Sequence, residues 1–406
     1  MKNFPGHSSR ANGLDTLRAA AITLVFMNHY MGFVSHEPTF GWGSVLGWTG
    51  VDLFFVLSGY LIANQVFSGL ARGESLSLRA FYSRRALRTL PVFWLVLALY
   101  FLFPAFMGGK PPPPLWRFLT FTQNIGLHAG TAFSHAWSLC IEEQFYLILP
   151  LFVVAGTRAS FHRSQGWTLI FVLLLVGVAT RATEWFNYAD DNGEYYRHIY
   201  YASLCRFDEF LPGIAIAMLK NFHRATWQRI TRHGQGLLAI GTAAVAIMLY
   251  SVNQYYYVDG QGYAFFMTAA GYSLNAMAFA LLVVAALSPD SWLARIRIPG
   301  AYPVALWSYS IYLSHKAVQI VLARELQPFN PPPLALVCII AITSVLVGAL
   351  LYWLVESPFM ALRDRWIPSL FQGHAEPTQD IESRAGLKIP AVTVVNNDGS
   401  HVTTVQ

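Results

Sequence analysis

Two residues on one apolar stretch define a possible chemistry. Arg18 and His29 are eleven positions apart. At about 100° per helical residue this spacing returns to within roughly 20° of the same face, and the rise between them is about 16 Å. A guanidinium suited to phosphate thus sits at the foot of a helix whose upper part carries an imidazole. That imidazole can deprotonate a hydroxyl or take an acyl group transiently as a nucleophile. Other stretches supply matching groups. His135 and Glu142 are seven residues apart, with Ser138 four before Glu142, so a helix would put all three on one face. Ser308 and His315 are again seven apart, with Tyr312 between them. Asp52 and Arg206 place a carboxylate and a guanidinium in two further apolar runs, and Arg84, Arg85 and Arg88 form a purely basic cluster.

These side chains must be positioned by helices in a bilayer. The chain has 406 residues, of which 55% are hydrophobic and 12% charged, against about 25% charged in soluble domains. Apolar runs near 20 residues predict about ten spans in an all-α polytopic membrane protein, at 16–34, 45–67, 88–106, 135–156, 166–181, 198–219, 236–252, 264–287, 301–323 and 334–355. With the N-terminus inside, 20 of the 27 Lys and Arg residues fall in cytoplasmic segments, five in outer loops and two (Arg206 and Lys316) within spans. The positive-inside rule then makes both termini cytoplasmic, and it accounts for the net charge of +6 without nucleic acid. In this orientation five spans deliver His29, Asp52, Glu142, Arg206 and His315 to one layer outside the midplane. Arg18, Arg84, Arg85 and Arg88 form a second layer at the cytoplasmic face. Ionisable groups at such depth are functional-site hypotheses by default. The membrane unit is expected over 1–366, and the polar stretch 367–406 reads as a disordered cytoplasmic tail. Cys140, Cys205 and Cys338 are isolated, with no CxxC pair, so neither a metal site nor a disulfide framework is expected.

The phrases around these residues resemble the acyltransferase 3 family of polytopic O-acyltransferases over roughly residues 12–366. Leu14-Asp15-Thr16-Leu17-Arg18 leading to His29 is similar to the family's first-span Arg and His, and Val51-Asp52-Leu53-Phe54-Phe55-Val56-Leu57-Ser58-Gly59-Tyr60 to its second-span phrase. Phe81 to Pro91 resembles its basic motif, with Arg85 and Arg88 matching the paired arginines. The run from His135 to Tyr146, the run from Ser308 to His315, and Glu356-Ser357-Pro358-Phe359 resemble three later elements, with Ser357 standing where a basic residue is common. The resemblance implies acyl-CoA, acetyl-CoA by preference, as a donor substrate rather than a resident cofactor. It also implies a hydroxyl of an extracytoplasmic carbohydrate or lipid-linked glycan as acceptor. Some members carry a fused extracytoplasmic hydrolase-like domain; the expectation here is a membrane unit acting without one.

On this reading His29 is the reacting residue, and Arg18 holds the donor's phosphates or its arm. Arg85 and Arg88, with Arg84, bind the donor phosphates. Glu142 orients His29 or shares its proton, and His315 supports the acceptor. His135, Ser138, Asp52, Arg206 and Tyr312 complete the substrate site. The competing readings are ordinary positive-inside anchoring for the arginines and a buried structural role for His29. For the whole protein the alternative is a proton-coupled transporter or flippase of a glycoconjugate, since embedded His and carboxylates also build proton relays. The sequence has no internal repeat of the kind that would favour it. An intramembrane serine protease would need glycine where Val56 stands before Leu57-Ser58-Gly59.

Overall fold

The computed structural model of the protein describes residues 12–108, 110–159, 162–372, 394–395 and 401–402. Helices dominate because backbone in hydrocarbon must satisfy its own polar groups within the segment. Helix α1 spans Asn12–Tyr30 and runs into a π-helical turn, Met31–Ser35. It is followed by α2 at Thr49–Leu70, α3 at Leu78–Leu102, α4 at Trp137–Arg158 and α5 at Arg163–Tyr188. Next come α6 at Leu211–Phe222, α7 at Gly234–Tyr255 and α8 at Tyr272–Leu287. The last three are α9 at Ala301–Leu326, α10 at Pro333–Leu351 and, after a π-helical turn at Tyr352–Glu356, α11 at Ser357–Trp366.

Eight helical segments among the described residues are long and apolar enough to cross a membrane. The two other expected spans, 198–219 and 301–323, fall short for different reasons. The first is broken into a π-helical turn at Tyr196–Tyr200, a four-residue helix at Ser203–Arg206, a 3-10 turn at Phe207–Phe210 and then α6. The second is the unbroken helix α9, whose middle carries Ser308, Ser310, Ser314, His315 and Lys316. Three boundaries also differ from expectation. Helix α3 begins at Leu78, so Arg84 and Arg85 belong to the helix and not to a connector. Helix α5 continues past 181, which puts Arg181 inside it. At the other end, Phe371–Gln372 pairs with Ser75–Leu76, so the ordered unit extends past residue 366. Lys2, Arg10 and most of the expected tail lie outside the described residues.

Helix α2 is the hub and packs against α1, α6 and α8. Its crossing with α6 is close because a Cβ on Gly59 would meet the carbonyl of Phe210, and one on Gly213 the carbonyl of Val56. Gly348 of α10 likewise lets Ile311 of α9 approach.

The break before α6 frees backbone carbonyls at membrane depth, and two arginines answer them. Arg181 donates to the carbonyl of Cys205 (2.6 Å) in this break and to that of Ala269 (2.9 Å) in the π-helical turn Met267–Gly271 before α8, and Arg206 donates to that of Tyr200 (3.2 Å). Both charges are matched. Arg181 pairs with Asp208 at 2.6 Å, and Ser273 donates to the same carboxylate. Arg206 pairs with Asp52 at 2.6 Å and with Glu209, while Asn275 donates to the other oxygen of Asp52. The rings of Tyr272, Tyr200, Trp137 and Phe55 surround the Arg206 guanidinium at 4.3–5.9 Å. The ion-paired side chains are all 0% exposed.

Candidate functional site

Arg18 and His29 lie on the one uninterrupted helix α1, with His29 a residue before its end. The π-helical turn that follows is an irregularity often found at functional sites. His29 Nδ1 lies 2.6 Å from His315 Nε2 of α9, with the two rings within 4° of coplanar. His315 Nδ1 lies 3.0 and 2.8 Å from the carbonyl oxygens of Ile311 and Tyr312. Carbonyls only accept, so that nitrogen carries the hydrogen of a neutral His315 and leaves Nε2 as an acceptor. His29 Nδ1–H must therefore donate to it, which leaves His29 Nε2 as the nitrogen with a free lone pair. Fixing the tautomer in this way prepares a general base or a nucleophile.

His135 stands edge-on to this pair, its ring 6.0 Å from His29 and 5.5 Å from His315. It occupies a 3-10 turn, Ser134–Ala136, entered through Phe133 at φ +58°. Left-handed backbone is uncommon for a bulky residue, and Phe133 is held there by the rings of Phe93, Tyr100 and Phe118. His135 Nε2 donates to the carbonyl of Leu313 at 3.2 Å, while its buried Nδ1 has no partner. Lys316 is buried nearby. Its Nζ donates to the Thr131 carbonyl (3.2 Å) and Ser134 Oγ (3.0 Å) and lies 4.6 Å from the Phe33 ring centre.

On the other side of Tyr312 is a cavity of about 90 Å³. Arg18, Arg85 and Arg88 line it towards one end of the helices, and Ser138, Glu142 and Tyr312 line it towards the other. The Tyr312 hydroxyl donates to the His135 carbonyl (2.7 Å) and accepts from Ser138 Oγ (2.7 Å). The Tyr312 ring lies 5.8 Å from each of His135 and His315, so this residue stands between the cavity and the histidines. Arg85 stacks on Tyr146 at 3.5 Å and lies 3.6 Å from Glu143. Arg18 and Arg88 form no salt bridge or hydrogen bond among the described residues; the charge that offsets them is the Glu356 carboxylate, which accepts from Ser310 at 2.9 Å and interacts with both guanidiniums at longer range.

Residues 11–353 match the acyltransferase domain family known as acyltransferase 3. The chain belongs to this family. It is 28% identical over 374 residues to YrhL of Bacillus subtilis (strain 168), covering 87% of this chain and 55% of that protein. It is 24% identical over 366 residues to a Listeria monocytogenes protein named peptidoglycan O-acetyltransferase OatA, covering 85% of this chain and 55% of the relative. The O-acetyltransferase OatA of Staphylococcus aureus (strain NCTC 8325 / PS 47) is 24% identical over 365 residues, with 85% and 56% covered. The chain thus spans about half the length of the curated relatives it matches. No solved structure matches it.

Within this acyltransferase 3 chain, the structure brings together Arg18, Arg85, Arg88, Ser138, Glu142 and Tyr312 around one cavity, and His29, His135 and His315 beside it. Other expectations need correction. Asp52 and Arg206 do meet, but in the buried ion network behind α2, where protein partners hold both and neither lines the cavity. Arg84 turns away from Arg85 and Arg88; it donates to the Ile367 carbonyl (2.9 Å) and to Asp364 (2.6 Å). Glu142 does not orient His29, because its oxygens accept from Ser58 (3.3 Å) and Tyr146 (2.8 Å). The group that orients His29 is His315, not a carboxylate. Sequence reasoning gave no role to Ser58, Tyr146 or Lys316. Tyr146 follows Glu142 by four residues, a spacing that could have paired them; nothing in the sequence tells what Lys316 touches.

Proposed function

We propose that this chain is a membrane O-acyltransferase, by preference an O-acetyltransferase. It moves the acyl group of cytoplasmic acyl-CoA to a hydroxyl of an extracytoplasmic carbohydrate or glycoconjugate. The observation that carries the reading is the tautomer-fixed His29–His315 pair placed just past a cavity whose other end is lined by Arg18, Arg85 and Arg88. The relatives named peptidoglycan O-acetyltransferases support a carbohydrate acceptor.

Arg18 and Arg88, with Arg85, hold the donor's phosphates through charge-assisted hydrogen bonds. The thioester arm follows the cavity to the Ser138–Tyr312 pair. Beyond the Tyr312 ring, which must turn aside for the acyl group to pass, His29 Nε2 takes the proton of the acceptor hydroxyl as its oxygen attacks the thioester carbonyl. The C–S bond breaks, the thiolate of CoA leaves, and the proton passes from His29 to solvent or to the thiolate. The His29 Nδ1–H···His315 bond strengthens as the imidazolium forms, so it acts most in the transition state. The same Nε2 can instead carry the acyl group itself, with the acceptor attacking in a second step.

Proteoliposomes of known orientation test the proposal. Acyl-CoA supplied on the arginine side and acceptor on the other should give acylated acceptor and free CoA. Movement of acceptor without CoA release would point to a flippase instead. Product formed only when both substrates share one side would refute the sidedness.

A further inference from the structure

Helix α2 is buried around most of its circumference. Its residues that are not buried include a single stripe, Phe54, Ser58, Leu61, Gln65 and Ser68, at alternating steps of four and three. That is one face of a helix, about 21 Å long. The first three residues line the 90 Å³ cavity, and the last two line a second, open groove of about 760 Å³. Across the groove stand Arg84 from α3 and Arg365 and Trp366 from the end of α11. One helical stripe therefore runs from beside Tyr312, whose ring lies 6.4 Å from that of Phe54, to the groove at the opposite end.

The two volumes cannot hold the same thing. Sites for drug-sized molecules occupy roughly 300–1,000 Å³. The inner cavity is too small for a nucleotide but suits a narrow chain; the groove is in the nucleotide range. A twelve-bond pantetheine arm, extended, covers roughly 14 Å at about 3.5 Å per three bonds. The rise along α2 from Gln65 back to Phe54 is about 16 Å. The groove's charges differ in availability. Asp364 is bonded to both Arg84 and Arg363. Arg365 is exposed and has no ion-pair partner among the described residues, and the indole of Trp366 beside it is 70% exposed.

We propose that this groove is the docking site for the nucleotide end of the donor, a phosphorylated adenosine diphosphate, with Arg365 on a phosphate and Trp366 stacked on the base. The proposal rests on acyl-CoA being the donor. It divides the work: the groove holds the nucleotide, Arg18 and Arg88 meet the diphosphate at the mouth of the inner cavity, and the α2 stripe guides the arm.

The test uses the full chain in nanodiscs, with acetyl-CoA and with acetyl-pantetheine, a donor lacking the nucleotide. Adenosine 3′,5′-bisphosphate serves as a probe of the groove alone. Arg365→Gln and Trp366→Ala should each raise KM for acetyl-CoA about 5- to 20-fold and weaken the bisphosphate by a similar factor. Neither should change kcat or the KM for acetyl-pantetheine. Equal losses with both donors, or lower thermal stability with an unchanged KM, would make these residues structural or interfacial anchors and overturn the groove. Wild-type binding of acetyl-CoA that both variants retain would overturn the groove alone. Absence of any wild-type binding of acetyl-CoA or bisphosphate would overturn the donor reading with it.

Discussion

His315 is the decisive residue to perturb, because its Nε2 accepts the hydrogen of His29 Nδ1. The proposed function makes His29 cationic, in part or fully, at the transition state. Its Nδ1–H then donates to His315 Nε2 across the 2.6 Å contact. A hydrogen bond to a charged group contributes about 1.5–3 kcal/mol. At 1.36 kcal/mol per tenfold in rate, His315→Ala should lower kcat by roughly 10- to 150-fold with little change in donor KM. His315→Gln is the informative partner. Its amide oxygen can accept from His29 while its NH₂ faces the carbonyls of Ile311 and Tyr312, so it should recover most of the loss. His29→Ala should cost roughly 10²- to 10⁴-fold. The double variant His29→Ala/His315→Ala should be no slower than His29→Ala alone, since an orienter has nothing left to orient. The assay is steady-state release of CoA by protein in nanodiscs, with melting temperature as the folding control. Additive losses in the double variant, or a Gln variant no better than Ala, would refute the relay.

Further predictions concern the other layers. Arg18→Gln and Arg88→Gln should each raise donor KM roughly 10-fold or more, because each removes charge-assisted bonds to phosphate; titration with acetyl-CoA at fixed ionic strength checks this. Arg206→Met leaves Asp52 and Glu209 buried and unpaired, so it should destabilise the fold by about 3–5 kcal/mol. A lowered melting temperature and yield, rather than an altered substrate KM, would be the sign. Tyr312→Phe removes the hydroxyl that bonds the His135 carbonyl and Ser138. We predict roughly tenfold lower kcat in a folded protein, read from turnover at saturating donor; an unchanged kcat would exclude a part for Tyr312 in transfer.

The apolar runs made most spans legible, since length and composition suffice to place a helix in a bilayer. The Arg18–His29 inference also needed only a regular helix, and α1 is regular from Asn12 to Tyr30. The His135–Glu142 inference failed on that same condition. Seven residues share a face only within one helix, and His135 lies in a 3-10 turn before α4, reached through left-handed Phe133. Its ring therefore turns to Leu313, while Glu142 faces Ser58 and Tyr146. The break before α6 was hidden because its residues are as apolar as a span, apart from the ions that stabilise the break. Pairings such as His29 with His315, 286 residues apart, depend on which helices become neighbours, and periodicity within one helix carries no information on that.

Depth alone does not separate functional charges from structural ones in this chain. A charge at membrane depth is costly and persists when it is paired, hydrated or used. Arg181 and Arg206 are fully buried, and carboxylates, carbonyls and aromatic rings surround them. All five N–H donors of Arg181 and four of the five of Arg206 are used, and admitting a ligand would mean opening a buried ion pair. Arg18 and Arg88 have the same chemistry and the opposite condition: they line a cavity and, among the described residues, form no salt bridge or hydrogen bond, with the Glu356 carboxylate acting on them only through its field. His135 is buried with one ring nitrogen unpaired, against the strong tendency of buried polar atoms to find a bond. These unmet groups lie on either side of the Tyr312 ring. An anion that could bond the first two and a hydroxyl that could bond the third would supply the missing partners, which is the arrangement needed to bring an acyl donor and its acceptor together.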